Sequence, residues 1–218
     1  SSGNNIENNY GSYNRYSLHF MYAGRNMVRN NFFEYNSVGI FFMYSSGTIA
    51  IGNTVKNSLG AFGVGIGMKD SSDFTLLENN LIYNPRGLYL DQSPYHPRTV
   101  NVFERNNILY NSSGVQFQVS RERSIFKENV IKGNIEPVVS DTPRNNLDIN
   151  DWSGNYWDMY EGFDKNGDGY GDIPYKHYVY ADKLWLYNPN VKFFYGSVIM
   201  DLLNFLAKFF TFSISLFS

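Results

Sequence analysis

Two phrases in this sequence repeat a set of soft donor atoms. "LHFMY" at 18–22 returns as "IFFMY" at 40–44, so Met21 recurs as Met43 after 22 residues, with His19 beside the first. Thioether sulfur and imidazole nitrogen are donors that suit Cu(I). Zero cysteines removes thiolate sites, disulfides and cysteine nucleophiles together. Outward methionines and aromatics on stacked strands more often cover a lateral protein contact than bind a metal, so both readings stand at this point. His96, in "DQSPYHPR", is a further loop donor, and Met68 and His177 are weaker ones.

Hard donors lie elsewhere, in "DKNGDGYGD" at 164–172. Asp164, Asn166 and Asp168 stand at the first, third and fifth places of a calcium loop, with Gly169 at the sixth. Tyr170 would give a backbone carbonyl, and Asp172 sits at the ninth place. Tyr175 stands where the bidentate glutamate of an EF-hand would be, so the pattern matches shorter DxNxDGxxD loops. Calcium in a structural role is one expectation; a metal-free network of Asx turns is the other.

Catalysis is not expected. Glycoside hydrolysis needs two carboxylates across a cleft, and the outward acids reduce to Asp91, with Asp70 and Asp73 in a turn. The three histidines form no Ser/His/Asp arrangement. A net charge of -2 gives no electrostatic case for nucleic acid.

The donors need a backbone to position them, and the repeat specifies one. The chain carries 28 asparagines, many in a phrase of Asn, any residue, apolar, any residue. Taking Asn31, Asn53, Asn80, Asn107 and Asn129 as equivalent gives spacings of 22, 27, 27 and 22, and Asn9 continues the series backwards. A second phrase follows each Asn and alternates with period 2, as a strand with one buried face does. Leu18/Phe20, Ile40/Phe42, Val64/Ile66, Leu88/Leu90 and Val115/Phe117 are the predicted inward pairs. Units this short cannot bury their own apolar face and must stack. The fold expected is all-β, a parallel β-helix with coils of about 22 residues. Leucine-rich repeat spacing is absent, and a propeller needs a longer period. Asparagine suits the corners because it tolerates left-handed backbone angles and its amides can stack.

On such coils His19 and Met21 point outward about 7 Å apart, with Phe41 and Met43 about 4.8 Å away on the next coil. Gly65/Gly67, Tyr89/Asp91 and Gln116/Gln118 would continue that outer stripe. Pro94 and Pro97 make 91–98 an excursion from its strand. The expected division is coils over 1–150, an aromatic cap with the acidic loop over 151–180, and an apolar segment of helical pattern over 181–218. In that last part Leu202, Leu203, Phe205, Leu206, Phe209 and Phe210 form a face suited to docking. The chain opens inside a repeat with Ser-Ser-Gly-Asn and no signal peptide, so an earlier N-terminal part is expected.

The "LHFMY…NMVRNNFFEYNSVGIFFMYS" block, "GVGIGMKDS", "GLYLDQSP", "GNYWDMYEGFDKNGDGYGDIPY" and "ADKLWLYNPNVKFFYGS…LLNFLAKFF" together resemble the NosD family over nearly the whole chain. That resemblance implies a periplasmic, right-handed β-helix acting with an ABC-type transporter in assembly of the copper–sulfur centre of nitrous oxide reductase. It implies copper as cargo, the reductase and a copper-donor lipoprotein as partners, and the apolar C-terminal segment as the dock onto the membrane permease. Proteins of this kind would also be expected to continue beyond "FFTFSISLFS". A carbohydrate-binding or carbohydrate-modifying β-helix is the alternative.

Overall fold

A computed structural model of the chain describes residues 1–140, 147–175, 190, 194, 197–199, 202–203 and 205–206. The repeats fold into stacked coils, each contributing three short strands. The first coil holds β1 (Asn5–Glu7), β2 (Tyr10–Ser12) and β3 (Tyr16–Met21); the second holds β4 (Met27–Arg29), β5 (Phe32–Glu34) and β6 (Val38–Met43). The third supplies β7 (Ile49–Ile51), β8 (Thr54–Lys56) and β9 (Val64–Lys69); the fourth supplies β10 (Thr75–Leu77), β11 (Asn80–Ile82) and β12 (Arg86–Asp91). The fifth carries β13 (Asn101–Glu104), β14 (Asn107–Leu109) and β15 (Ser113–Gln118); the sixth carries β16 (Ser124–Lys127), β17 (Val130–Lys132) and β18 (Glu136–Ser140). A short β19 (Tyr156–Trp157) closes the stack.

Corresponding strands pair in parallel to form three sheets, β1-β4-β7-β10-β13-β16, β19-β17-β14-β11-β8-β5-β2 and β18-β15-β12-β9-β6-β3. This is a right-handed parallel β-helix of about six turns, with coils of about 23 residues. The hand agrees with the general preference of parallel crossovers in L-polypeptides.

Asparagine amides fix the register. Asn53 is fully buried. Its Oδ1 accepts from the backbone N–H (3.1 Å) and Nδ2 (2.9 Å) of Asn31, and its Nδ2 donates to Val28 O (2.9 Å) and Asn79 Oδ1 (2.9 Å). All four side-chain hydrogen-bonding positions are thereby filled. The same ladder runs Asn9, Asn31, Asn53, Asn79, Asn106, Asn129, Asn155. The expected equivalence of Asn80 and Asn107 with Asn53 is therefore off by one: both lie inside strands, paired in register with Thr54. Two adjacent asparagines at 79–80 and 106–107 hide which one turns inward.

The left-handed corner is also not where expected. The residue before the ladder asparagine has positive φ in each coil: Asn8 (58°), Asn30 (52°), Gly52 (65°), Glu78 (54°), Arg105 (51°) and Glu128 (54°). Its N–H donates to the next coil, as Glu78 does to Glu104 O at 3.1 Å. Bonds from both sides hold even charged residues in a conformation that costs about 1–2 kcal/mol.

A second ladder links Asn84, Asn111 and Asn134 at the next corner. Three residues after two of these asparagines the chain has glycine, because the amides of the following coil leave no room. A Cβ on Gly87 would lie 2.8 Å from Gly114 O and 2.9 Å from Asn111 Nδ2. Serines make a third ladder, Ala23 N to Ser45 Oγ, Ser45 N to Ser71 Oγ and Ser71 N to Ser93 Oγ.

Inside, the apolar side chains form continuous columns. Ile40, Ile66, Leu88 and Val115 make one, and Phe20, Phe42, Met68, Leu90 and Phe117 another. The expected inward pair Val64/Ile66 is thus corrected to Ile66/Met68. Val64 is buried and in register with Val38 and Arg86, but it is not part of the core cluster that holds Ile66 and Met68. At the closing end Trp152 stacks on Phe126 at 4.2 Å and donates from Nε1 to Leu147 O at 3.2 Å.

The chain divides into two compact units, Ser1–Glu161 and Gly162–Ser218. The aromatic closing residues up to Glu161 thus belong with the coils, and the acidic loop with the second unit. Positions 198, 199, 202, 203, 205 and 206 are helical.

Asn79→Asp keeps the side-chain shape but removes both donors, leaving Ala50 O and Asn106 Oδ1 facing carboxylate oxygen. It should destabilise the coils by about 3 kcal/mol or more, at least as much as Asn79→Ala, in chemical denaturation. Gly87→Ala should cost about 1–3 kcal/mol in the same measurement, because the new methyl meets backbone and a buried amide.

Candidate functional site

Strands β3 and β6 put the predicted donors on one outer surface. Leu18 and Phe20 face the core, so His19 and Met21 face outward, and the register sets Met21 directly opposite Met43 and His19 opposite Phe41. The two thioethers are thus neighbours on adjacent strands, about 4.8 Å apart at the backbone. Met21 is 49 % exposed and Met43 half-buried.

His19 is exposed but oriented by its neighbours. Its ring stacks on Tyr16 at 4.7 Å and 17°, and meets the edge of Phe41 at 6.2 Å and 68°. Phe41 in turn lies over Gly67, where a Cβ would sit 2.4 Å from two ring carbons. The third coil therefore offers a floor for the Phe41 ring.

The outer row continues differently from the expected Gly65/Gly67. Phe41 pairs with Gly67 and Met43 with Lys69, so the row reads Met21, Met43, Lys69, Asp91, Gln118. A four-residue excursion at 59–62 and the glycine-rich "GVGIGM" obscure this register in the sequence. The signal that reveals it is the serine pair, since "MYSSG" at 43–47 aligns with "KDSSD" at 69–73. Lys69 is the neighbour of the donors that the alternation pattern does not reveal, and it joins Met43 to Asp91, which the expected stripe already contains. Lys69 Nζ bonds Asp91 Oδ2 at 2.7 Å, and this bond holds the ammonium pKa above its ordinary value. One coil further, the Tyr89 hydroxyl donates to Gln118.

The remaining candidates are separated from this surface by the fold. Met68 points into the core and is fully buried. His96 lies in an excursion that begins after Ser93; the N–H groups of Tyr95 and His96 both donate to Ser72 Oγ at 2.9 Å. His177 lies outside the described residues.

In the acidic loop the side chains serve the loop's own backbone. Asp164 Oδ1 accepts from Gly167 N (2.7 Å) and Asp168 N (3.2 Å), and its Oδ2 accepts from Gly169 N (2.9 Å). Asn166 Nδ2 donates to Asp168 Oδ2 at 3.0 Å, Tyr170 N to Asp168 Oδ1 at 2.8 Å, and Lys165 N to Asp172 Oδ2 at 2.7 Å. Gly167 and Gly169 take positive φ, 74° and 86°, which lets the chain close on itself. Among the described residues no three His, Asp or Glu side chains converge on a point that could hold a metal ion.

In the C-terminal segment Leu202, Phe205 and Leu206 are exposed and Leu203 is half-buried. Phe209 and Phe210 lie outside the described residues. No helix among the described residues is long and apolar enough to cross a membrane.

Comparison with known proteins follows the same lines. A family model described as "Periplasmic copper-binding protein (NosD)" matches residues 1–162. A protein of Stutzerimonas stutzeri named "Probable ABC transporter binding protein NosD" is 32 % identical over 111 residues, covering 50 % of this chain and 25 % of its own length. A protein of the same name from Pseudomonas aeruginosa is 31 % identical over 111 residues, covering 50 % of this chain and 26 % of its own. The match thus spans about a quarter of the length of these curated relatives. The family model covers the whole run of coils and their closing tryptophans, and the chain belongs to the NosD family of periplasmic copper-binding proteins.

Proposed function

We propose that the chain is a platform for maturation of nitrous oxide reductase, holding Cu(I) on the outer face of its first two coils. In this reading Met21 and Met43 are the sulfur donors, and His19 supplies nitrogen from the same face. The observation that carries the proposal is the register of β3 against β6, which makes two thioethers lateral neighbours with an imidazole two residues away. Two soft sulfurs and one imidazole fit the donor preference of Cu(I) and offer little to a hard divalent ion. An exposed site of this kind suits cargo that arrives and leaves. The family's description as copper-binding supports copper as that cargo.

The platform would act with an ABC-type transporter, receive copper from a donor lipoprotein and deliver it to the reductase in assembling its copper–sulfur centre. Support for the transporter comes from the printed names of the relatives. The exposed Leu202, Phe205 and Leu206 would be the dock onto the membrane permease, since apolar side chains at helical positions need a partner to cover them.

Carbohydrate binding is less well supported by the outer surface. The exposed tyrosines stack on one another, Tyr13 on Tyr35 at 5.5 Å and Tyr22 on Tyr44 at 4.9 Å, so these rings use faces that a sugar would need. Asp91 is engaged by Lys69.

Titration of Cu(I) against a chromophoric chelator should show uptake by the wild-type chain. Met21→Leu and Met43→Leu should each weaken it by about tenfold or more, corresponding to roughly 1.4 kcal/mol. Absence of Cu(I) uptake by the wild type would remove the donor assignment. Deleting residues 198–218 should abolish capture of the permease from detergent-solubilised membranes while leaving thermal unfolding of the coils unchanged. Undiminished capture would place the dock elsewhere.

A further inference from the structure

We propose that the outer face of the β1-β4-β7-β10-β13-β16 sheet is a contact surface for a second copy of this chain. The two copies dock face to face about a two-fold axis that runs along the strands. The inference is independent of the copper reading and concerns a different side of the solenoid.

Two outward rows cover this sheet. In one, Arg29, Ile51, Leu77 and Glu104 are lateral neighbours in that order on β4, β7, β10 and β13. In the other, Met27, Ile49, Thr75 and Val102 occupy the same four strands. All four strands belong to inner coils with a coil on either side, so whatever they expose faces sideways. Ile49 is 39 % exposed, and Ile51 and Leu77 beside it are half-buried. On the adjacent sheet the corresponding inner row reads Thr54, Asn80, Asn107, and those polar side chains bond one another. The first face is apolar at its centre and charged at its ends, the pattern of a surface that gains by being covered.

The order of the charges names the occupant. A two-fold axis parallel to the strands, passing between β7 and β10, reverses the order of the coils and keeps each row facing itself. The third coil then meets the fourth coil of the second copy, and the second meets the fifth, with the sheets about 10 Å apart. Ile51 lies opposite Leu77, and Arg29 lies opposite Glu104. Each pairing occurs twice because the contact is symmetric. In the other row Met27 meets Val102 and Ile49 meets Thr75. One coil further out the same operation sets Glu7 opposite Lys127, again of opposite sign.

The other two-fold, parallel to the solenoid axis, would set each coil against itself with the rows exchanged. Arg29 would then face Met27 and Glu104 would face Val102, burying charge against apolar side chains. The residue order thus selects the first arrangement. Within one copy Arg29 already bonds Glu7, and Glu104 bonds Arg105, so the contact lays charge pairs against each other with signs alternating. Exposed pairs of this kind contribute little each, and a face two rows wide is small. The association expected is therefore weak, with a dissociation constant of about 0.01–1 mM.

Sedimentation of the full chain from about 10 µM to 1 mM at low salt should show a monomer–dimer equilibrium that weakens as salt is raised. Arg29→Glu opposes like charges twice and should raise the dissociation constant at least about tenfold. Adding Glu104→Arg restores opposite signs and should return the constant to within about threefold of the wild type. Ile51→Lys should abolish the dimer, whereas Ile82→Lys, on the outward side of the adjacent sheet, should leave it unchanged. Thermal unfolding of each variant checks that the coils are intact, and the paired charge reversal decides the matter if Ile51→Lys does not fold. A chain that is monomeric at about 1 mM overturns the proposal, as does a dimer indifferent to both Arg29→Glu and Ile51→Lys. A monomeric chain in which Ile51→Lys loses capture of the permease or the reductase assigns the face to that partner and overturns it as well.

Discussion

A buried amide needs four hydrogen-bonding partners, and for Asn53 the neighbouring coils supply all of them. Asn53 takes two bonds from the coil before, gives one to that coil's backbone, and passes one to the coil after. Sliding a coil by one residue would leave each such amide unsatisfied and turn its apolar column outward. The asparagine, serine and glycine corners therefore act as a register lock. The arrangement of the outer surface follows from that lock, because a side chain's lateral neighbour is set by the ladder inside.

The surface so defined changes character along the axis. The first two coils offer Tyr16, His19, Phe41, Met21 and Met43, an aromatic and thioether surface with no ionised group in the donor row. At the third coil the row becomes Lys69, and at the fourth Asp91, bonded to each other at 2.7 Å. A cation held by Met43 would border a lysine whose own charge is balanced from the far side. The soft surface has a sharp edge, and the excursion at 59–62 with Gly67 beneath Phe41 marks the same boundary.

The fold was legible because its determinants are local and periodic. A recurring Asn, a period-2 phrase and an inability to bury a face alone lead to a solenoid without any tertiary information. Register within a coil was less legible, for two physical reasons. Adjacent asparagines at 79–80 and 106–107 are chemically identical, and only the backbone decides which one turns inward. In "GVGIGMKDS" three glycines carry no side chain to mark a face, so alternation gave Val64/Ile66 where the columns use Ile66/Met68. The Met21–Met43 pairing survived because those two coils have the same length and no glycine inside the alternating part. Lys69 is hidden for the same reason, since its place beside Met43 depends on the register of this glycine-rich strand. Propensity alone points to asparagine at the left-handed corners, as at Asn8 and Asn30, whereas ladder bonds on both sides impose that conformation on Glu78 and Arg105.

The central claim is that two sulfurs and one imidazole nitrogen on adjacent coils hold Cu(I). X-ray absorption spectroscopy at the copper edge of the Cu(I)-loaded full chain tests it most directly. The account predicts a low-coordinate Cu(I) with two sulfur scatterers and one imidazole, both sulfurs vanishing in the Met21→Leu/Met43→Leu double variant. A copper site with only nitrogen and oxygen neighbours, or the same sulfur signal in the double variant, would contradict it.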